Sequence, residues 1–450
     1  MGNDTPEAQN DDALRTRGDR SGSRIPGFSS SDRRERLHAL VTRGGLADDD
    51  VAELLAAESL PFSTADRMIE NAVGVLGMPL GVALNFRVNG RDRLVPMAVE
   101  EPSVVAAASY GARLARAGGG FTADADPPVM IGQVQLVHVP DLAAAAAAVA
   151  GASERLCAEA DAVHPNMTRR GGGVRGLEVR ELPDTAVGPM LVVHLLVDVG
   201  DAMGANAVNA MVEALAPALE ALTGGEARLR ILSNLADRRR ARAACLVPFA
   251  ALDTAGLPGG AVAGRIFEAW ALADADPYRA TTHNKGVMNG VDAVAVACGQ
   301  DWRAIEAAAH AWAARDGRYR ALTRWSVGDD GLRGEIDLPL AVATVGGTLE
   351  CNPRARASLR LVGATSARDL AGVMAAVGLA QNLAAVRALV TDGIQRGHMA
   401  LHARGLAQAV GAPVELQDAL VARLIGSGDV KLARARALLA ELRAQGGVTA

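Results

Sequence analysis

The sequence predicts an α+β protein with more than one domain. At 450 residues the chain exceeds the size at which a single hydrophobic core keeps growing. Half of its residues are hydrophobic but only 3% are aromatic, so small aliphatic side chains must fill the cores, which favours closely packed helices. Residues 128–233 show the order strand, helix, strand, strand, helix, which is close to a split βαβ arrangement.

Bulk composition excludes several classes of protein. The net charge of −5 is small and no long basic stripe occurs, so nucleic-acid binding is not expected. The N-terminus lacks the pattern of a signal peptide, and no uninterrupted apolar run approaches the roughly 20 residues that span a bilayer. Four scattered cysteines form neither a CxxC pair nor a zinc spacing: Cys157, Cys245, Cys298 and Cys351. We therefore expect a soluble, cytoplasmic protein without a membrane, nucleic-acid or metal partner.

The N-terminal third is predicted to contain a tail, helices and a hairpin. Residues 1–22 are rich in Asp, Arg, Ser, Gly and Asn, and we expect them to be disordered. Two alternating runs at 82–88 and 93–99 flank Asn89-Gly90, which is a strong hairpin signal. Pro102 fits the first position of the helix that follows.

Residues 128–233 are predicted to form a separate unit. Strands are expected at 129–137, 177–182 and 190–199. An alanine-rich helix extends from the first strand toward His164, and a second helix follows the third strand. After this unit the chain returns to alanine-rich helices with short strands, and its end is helical and charged.

Residues 283–292 have the most unusual polar pattern in the chain. They are punctuated by glycine and lead into an apolar run at 293–297, which is either a buried strand or part of a buried helix. Of the 46 Lys and Arg residues, only Lys285 and Lys431 are lysines. A compact ammonium whose pKa moves on burial suits an electrostatic role at Lys285. The alternative is a surface loop that contains a lysine by chance.

Glu101 precedes Pro102 at a helix start and allows two interpretations. It is either a plain N-cap carboxylate or a general acid. A helix N-terminus lowers the pKa of a carboxyl group, whereas a dry pocket raises it. An acid that works near neutral pH therefore needs burial or a second carboxylate nearby.

Two further segments lie at predicted helix starts. Residues 201–206 (DAMGAN) follow a strand, so their backbone N–H groups can meet a phosphate, although an ordinary strand-to-helix turn has the same pattern. Asp301 either caps the helix that begins at Trp302 or lies in one cleft with Lys285.

His398 and His402 are four residues apart and are expected on one helix face. Zinc is disfavoured because the Glu of HExxH and a third ligand are missing. A histidine beside a glycine on a late helical segment suits a proton donor on a moving lid.

The densest positive patch contains Arg238, Arg239, Arg240 and Arg242. It is either a solvated helix face or a site for an anionic ligand such as a nucleotide phosphate.

Eight segments together resemble the soluble bacterial class of 3-hydroxy-3-methylglutaryl-coenzyme A (HMG-CoA) reductases. They occur in the family's order and cover nearly everything from about Ser23 onward. One match alone is moderately specific, but eight collinear matches exclude coincidence. The segments are 70–74 (ENAVG), 100–109 (EEPSVVAAAS), 201–206 (DAMGAN), 233–237 (SNLAD), 276–279 (DPYR), 283–286 (HNKG), 299–302 (GQDW) and 393–402 (GIQRGHMALH).

The resemblance implies a domain organisation. A large, helix-rich HMG-CoA-binding domain would comprise residues 23–127 and 234–385. An inserted small split-βαβ (ferredoxin-like) NAD(P)-binding domain would comprise residues 128–233, and a C-terminal helical flap residues 386–450. The family also pairs subunits so that active sites form at the interfaces of a homodimer, and bacterial members often assemble as hexamers.

The family's four catalytic positions correspond to Glu101, Lys285, Asp301 and His398. The implied reaction reduces the thioester of HMG-CoA to mevalonate and coenzyme A with two hydrides, through mevaldehyde. Lys285 would stabilise the oxyanion, His398 would protonate the coenzyme A thiolate, and Glu101 would donate a proton to mevaldehyde. Asp301 would keep the ammonium charged and raise the pKa of Glu101 by like-charge repulsion.

The resemblance also implies the binding residues. Contacts with the hydroxymethylglutaryl group or with coenzyme A are expected from Ser103, Arg279, Asn289, Glu70, Asn71 and His402. Arg279 suits the free carboxylate of the substrate, through a bidentate pair. The nicotinamide nucleotide site is expected to be lined by Asp201, Met203, Gly204, Asn206, Asn234 and His164.

The choice between NADH and NADPH depends on one position. An NADH-using, mevalonate-degrading member of the family has an aspartate before the Gly171-Gly172-Gly173 turn, where it binds the ribose 2′-hydroxyl and repels a 2′-phosphate. His164 takes that position here and repels no phosphate, so NADPH is not excluded, although closeness to the degradative class favours NADH. Two other functions stay open: an acyl-CoA-binding protein without turnover and a thioester hydrolase.

Overall fold

The structure is a computed structural model that describes residues 22–391 and 394–446. The predicted disordered tail, residues 1–22, lies outside the described residues except for Gly22. Two β-sheets organise most of the chain, and each has its own hydrophobic core.

The helices and strands follow the chain in three groups. The first group contains α1 (Arg33–Gly44), α2 (Asp48–Leu55), α3 (Phe62–Met68), β1 (Leu80–Val88), β2 (Arg91–Ala98), α4 (Val104–Arg116) and β3 (Phe121–Ala125). The second contains β4 (Val129–Val137), α5 (Leu142–Gly151), α6 (Ser153–Val163), α7 (Pro165–Arg169), β5 (Gly173–Leu182), β6 (Met190–Asp198), α8 (Ala205–Thr223) and β7 (Glu226–Ser233). The third contains β8 (Arg240–Pro248), α9 (Phe249–Leu252), α10 (Gly259–Ala275), α11 (Pro277–Ala297), α12 (Trp302–Ala313), β9 (Thr323–Val327), β10 (Gly331–Pro339), α13 (Pro353–Val362), α14 (Ala367–Val390), α15 (Ile394–Ala409), α16 (Val414–Ser427) and α17 (Leu432–Gly446).

The predicted hairpin is confirmed. β1 and β2 pair antiparallel, and Val88 lies opposite Arg91 across a two-residue turn. Asn89 and Gly90 have φ angles of 50° and 76°. Two successive left-handed residues form the type I′ turn, whose twist matches that of the flanking strands.

Six strands form the larger sheet, in the order β2-β1-β3-β8-β10-β9. α14 packs against this sheet and against α4 and α11. Among the described residues, α14 is the one helix that is long and apolar enough to cross a membrane, with a mean hydropathy of 1.6 over its most apolar window. Because 72% of that window is buried inside the protein, the apolar surface of α14 belongs to the core.

Four strands form the smaller sheet, in the order β5-β6-β4-β7, and neighbouring strands are antiparallel. α5, α6 and α8 pack on this sheet, which gives the split-βαβ order that the sequence predicted and confirms the α+β class. The predicted single helix toward His164 is two helices. The chain leaves helical geometry at Ala152, where φ is −95° and ψ is 3°.

Residues 283–292 form part of helix α11 and not a loop. The Asp276 side chain caps the helix by accepting a hydrogen bond from the Arg279 amide at 3.1 Å. A Cβ atom at Gly290 would lie 2.9 Å from the Cβ of Gln381. The glycine that suggested a loop therefore allows α11 and α14 to approach closely.

The arginine patch is also not a solvated helix face. It leads into strand β8, where side chains alternate between the two faces of the sheet. Arg242 Nη1 lies 2.9 Å from Asp126 Oδ1, and Arg240 Nη1 lies 2.9 Å from Asp337 Oδ2. Arg239 is buried.

The C-terminal helices α15, α16 and α17 pack mainly on one another. Their small core includes Leu420, Leu424, Leu438 and Leu439. These helices therefore bury their apolar faces without a sheet.

Candidate active site

An ion pair joins two distant parts of the chain. Lys285 Nζ lies 2.6 Å from Glu101 Oε2. The lysine lies in α11, and Glu101 lies in the turn before α4. In the single chain the side chains are 59% and 39% exposed, respectively. An ammonium and a carboxylate are therefore both accessible to one substrate molecule.

Glu101 is not the N-cap of α4. The helix begins at Val104, and its N-cap is Ser103, which has a left-handed φ of 74°. Pro102 therefore precedes the helix and does not occupy its first position. The carboxylate of Glu101 makes its hydrogen bond with Lys285.

Three side chains of α11 form a stripe on one helix face. Lys285, Asn289 and Asp292 are spaced i, i+4 and i+7. Asn289 is half-buried, so its amide lies one turn from the ammonium on the same face. This geometry brings together two residues that were predicted separately for catalysis and for substrate binding.

Asp292 belongs to an acidic cluster that the sequence did not reveal. Glu306 Oε2 lies 2.5 Å from His310 Nε2, and His310 Nδ1 lies 2.6 Å from Tyr319 Oη. Burial, together with the neighbouring carboxylate of Glu306, raises the pKa of Asp292 to about 9. The hydrogen bond with His310 lowers the pKa of Glu306 and raises that of His310. The carboxyl pair thus holds a proton on Asp292 and a negative charge on Glu306.

Arg279 lies in the first turn of α11. Its guanidinium forms no ion pair with another described residue, and burial lowers its pKa. One turn further on, His283 Nε2 lies 2.6 Å from Thr323 Oγ1, and burial lowers the pKa of this imidazole to about 3. Helix rise separates Arg279 from Lys285 by about 9 Å. Helix α11 therefore carries two cationic side chains, Arg279 and Lys285, and no other lysine or arginine lies between them in the sequence.

Asp301 caps α12 and does not meet Lys285 within the chain. Its Oδ1 accepts a hydrogen bond from the Ala304 amide at 3.0 Å. The part of the chain that the structure describes contains no ion pair between Asp301 and Lys285 and no hydrogen bond between Asp301 and Glu101. The length of α11 explains this, because the helix rises about 18 Å from Lys285 to Ala297.

The segment predicted to contact coenzyme A is exposed. Glu70 and Asn71 form a turn after α3, and Asn71 has a φ of 56°. The chain then runs without helix or strand to β1, and Val73 and Leu76 are 100% and 96% exposed. Apolar side chains that are fully open to solvent indicate a surface for another molecule.

The two predicted histidines fall in α15. The backbone from Ile394 to Ala409 is helical, but the side chain of His398 lies outside the described residues. His402 is exposed. Within the described residues, no group of three or more His, Cys, Asp or Glu side chains is arranged to hold a metal ion.

The predicted nucleotide turn connects β6 to α8. Gly204 is the N-cap of α8 with a φ of 89°, and a Cβ atom there would lie 2.4 Å from Val199 Cγ1, so only glycine fits. No side chain caps this helix, which leaves its first amides for a ligand. Asn206 is exposed in the first turn, and Met203 is half-buried just before it.

Asp201 connects this turn of the smaller unit, which is built on the four-stranded sheet, to the larger unit, which is built on the six-stranded sheet. Its Oδ1 accepts a hydrogen bond from the Ala367 amide at 2.8 Å, at the start of α14. Its carbonyl oxygen accepts a hydrogen bond from the Thr344 amide at 2.9 Å. The turn is therefore anchored to residues that follow the larger sheet.

His164 and Asn234 lie in two other turns of the smaller unit. His164 separates α6 from α7, and its buried Nε2 has no hydrogen-bond partner among the described residues. Asn234 is exposed between β7 and β8. Nε2 of His164 is therefore not open to a ligand in this conformation, whereas the Asn234 side chain is.

The two sheets, the Lys285–Glu101 pair beside the larger sheet and the uncapped helix α8 on the smaller sheet define an α+β protein with a candidate ligand site on each sheet unit. Comparison with known proteins gives the family. The family described as hydroxymethylglutaryl-coenzyme A reductase matches residues 31–403. The chain belongs to the HMG-CoA reductase family.

Individual relatives match this chain, in sequence or in structure, over most of its length. The 3-hydroxy-3-methylglutaryl-coenzyme A reductase of Archaeoglobus fulgidus is 48% identical over 422 residues, which are 94% of this chain and 95% of the relative. The structure of the Streptococcus pneumoniae reductase has a TM-score of 0.79 at 42% identity, covering 93% of this chain and 99% of that one. A second structure of that class II enzyme, described as bound to NADPH in open conformations, has a TM-score of 0.78 at 43% identity and covers 81% of this chain and 99% of that one.

Proposed function

We propose that this chain reduces HMG-CoA to mevalonate and coenzyme A in the cytoplasm, through mevaldehyde, with NADH or NADPH. The Lys285–Glu101 pair is the observation that carries this proposal, because it places a cation and a potential proton donor at one surface. Reduction of a thioester to an alcohol consumes two hydrides and two protons. The nicotinamide nucleotide supplies the hydrides when it is bound.

Lys285 acts in the first reduction. The thioester carbonyl becomes a hemithioacetal oxyanion, and the ammonium stabilises the negative charge. Collapse of this intermediate breaks the carbon–sulfur bond and releases mevaldehyde and the coenzyme A thiolate. His398 donates a proton to the thiolate, which prevents its return to the aldehyde.

Glu101 acts in the second reduction. It donates its proton to the aldehyde oxygen as the alcohol forms, while Lys285 holds that oxygen. The carboxyl group must therefore be protonated before this step. Asp301 supports protonation by placing a second negative charge near Glu101.

The substrate is held by the residues around this pair. Arg279 binds the free carboxylate of the hydroxymethylglutaryl group, since its guanidinium has no ion-pair partner among the described residues. Asn289 and Ser103 contact the same group from α11 and from the start of α4. Coenzyme A is bound by Glu70, Asn71 and His402.

The smaller unit holds the nucleotide. The free amides at the start of α8 and the close backbone approach at Gly204 fit a pyrophosphate. The other contacts are Asp201, Met203, Asn206, Asn234 and His164. Near His164, the exposed Arg169 and Arg170 add positive charge, so a 2′-phosphate meets no repulsion and NADPH is accepted beside NADH.

The active enzyme is a homodimer in which Asp301 acts on the partner subunit's lysine. Support comes from α11, whose length keeps Asp301 away from Lys285 of its own chain, and from the exposed Val73 and Leu76. A second copy that covers this surface would also remove water from the Lys285–Glu101 pair. Charge stabilisation is stronger in such a dry site.

Steady-state kinetics test the proposal. The purified protein is assayed with NADH and with NADPH, in the direction of HMG-CoA reduction and in that of mevalonate oxidation. We expect coenzyme A release to require nucleotide oxidation in a ratio of two nucleotides per thioester. Coenzyme A release without nucleotide oxidation would identify a thioester hydrolase, and binding of HMG-CoA without either change would identify an acyl-CoA-binding protein.

A further inference from the structure

Arg239 is a buried cation that the proposed reaction does not use. Its side chain is 4% exposed. Burial lowers its pKa to about 10, so the guanidinium remains charged at neutral pH. Among the described residues it forms no ion pair, although the carboxylates of Asp198 and Asp201 are near enough to favour its charge.

Backbone carbonyls surround the guanidinium. Arg239 Nη1 donates to the carbonyl oxygens of Ala202 at 3.1 Å and Met203 at 3.4 Å. Nη2 donates to the carbonyl oxygen of Val342, which follows the larger sheet. One side chain thus joins the β6–α8 turn of the smaller unit to the larger unit.

These contacts fix the orientation of two peptide groups. In a trans peptide the C=O and the following N–H point in opposite directions. Because the carbonyls of Ala202 and Met203 point toward the buried Arg239, the amides of Met203 and Gly204 point away from it. Those amides therefore continue the set of free N–H groups at the start of α8.

We propose that Arg239 is a positioning residue for the dinucleotide: it holds the β6–α8 turn with its amides toward the pyrophosphate, and its charge is balanced by the bound phosphates. This inference rests on the proposed function. A buried cation without a contacting carboxylate is costly in the free protein, and an anionic ligand at the adjacent turn offsets that cost. It also explains why the arginine patch contains one residue that is neither solvated nor paired with an acid.

The test compares two substitutions at Arg239 with a matched control. Arg239→Met removes the charge and the hydrogen bonds, whereas Arg239→Lys keeps the charge on a shorter side chain. Arg238→Met is the control, because Arg238 is exposed and pairs with Glu178 at 2.8 Å. Dissociation constants for NADH and NADPH are measured by titration of nicotinamide fluorescence, together with the KM for HMG-CoA and kcat.

We expect Arg239→Met to raise the dissociation constants for both nucleotides about 10- to 100-fold and to change the KM for HMG-CoA less than about twofold. Arg239→Lys should fall between Arg239→Met and the unchanged protein, and Arg238→Met should match the unchanged protein. If Arg239→Met does not fold, Arg239→Lys decides, with an expected rise of about 3- to 10-fold for the nucleotides alone.

Two results would overturn the inference. One is unchanged nucleotide binding in the folded Arg239 variants, and the other is an equal loss for nucleotide and HMG-CoA, which indicates general distortion. Failure of the unsubstituted protein to bind either nucleotide would instead remove the proposed function itself.

Discussion

Lys285 Nζ lies 2.6 Å from Glu101 Oε2, and this contact joins the middle of α11 to the turn before α4. Glu101 lies before the helix that its local sequence suggested it would cap, and Lys285 lies within a helix and not in a loop. The lysine is one turn from Asn289 and two turns from Asp292 on the same helix face. The candidate reactive surface is therefore one face of a helix, completed by a turn from another part of the chain.

Lys285→Ala should abolish turnover while coenzyme A binding survives. Loss of the ammonium removes the charge that stabilises the oxyanion, and removal of one such donor typically lowers kcat by about 100- to 1,000-fold. HMG-CoA reduction and coenzyme A binding, the latter by calorimetry, are measured on the same preparation. Substantial residual turnover would exclude the oxyanion role.

Mixing Lys285→Ala with Asp301→Ala should restore activity that neither variant has alone. If Asp301 serves the partner subunit's lysine, each mixed dimer has one damaged and one intact site. Random pairing then gives roughly a quarter of the unsubstituted activity. The variants are unfolded and refolded together, and each variant refolded alone is the control. Absence of any gain in verified mixed dimers would place both residues in the same site within one chain.

Gly290→Ala should destabilise the fold, whereas Gly286→Ala should not. A Cβ atom at Gly290 would lie 2.9 Å from the Cβ of Gln381 and 3.1 Å from the Val377 carbonyl oxygen, but at Gly286 it would meet nothing within 4 Å. Overpacking of this kind costs about 1–3 kcal/mol of the free energy of unfolding. Gly286→Ala should raise the free energy of unfolding by up to about 1 kcal/mol, since glycine is a poor helix former. Urea unfolding measures the free energy of unfolding of both variants. Equal values for the two variants would contradict the close contact of α11 with α14.

Asp292→Asn should make stability less dependent on pH. The pKa of Asp292 in the folded chain, about 9, lies above the ordinary value of 3.8, so the folded state binds this proton more tightly than the unfolded state. The resulting stability is fully present below pH 3.8 and is lost as the pH rises toward 9. Asparagine removes that loss, because it is neutral at every pH.

The stability of Asp292→Asn relative to the unsubstituted protein should therefore rise between pH 5 and pH 8, with a slope of at most about 1.4 kcal/mol per pH unit. Urea unfolding is followed across this range. Asp124→Asn is the control, because the Asp124 side chain is 76% exposed. A constant difference between the Asp292 variant and the unsubstituted protein would show that Asp292 titrates as an ordinary carboxyl group.

Local sequence was sufficient where one short segment sets its own geometry. The Asn89-Gly90 hairpin was predictable because few residues other than these adopt two successive left-handed conformations. Three of the four strands of the smaller sheet were predictable from their apolar periodicity, whereas β7 was not predicted, and the segment 201–206 marked a strand-to-helix turn. In each case the signal depends on a few neighbouring residues.

The helical state of Lys285 was not predictable in the same way. Gly286 and Gly290 argue against a helix locally, and the apolar run after them fits a strand or a helix equally well. Packing against α14 decides between these states, since the missing Cβ at Gly290 allows two buried helices to meet. The acidic cluster of Asp292, Glu306 and His310 was missed for the same reason, because its members lie on two helices that only packing brings together.

The sequence by itself determined the fold class, the family resemblance and the identity of the candidate residues, because these depend on residue types in a fixed order. Only the tertiary structure decided which of them meet. It pairs Lys285 with Glu101, keeps Asp301 at the far end of α11, and buries Arg239 beneath the β6–α8 turn. Such contacts depend on helix length, crossing and burial, which are properties of the packed chain and not of any one segment.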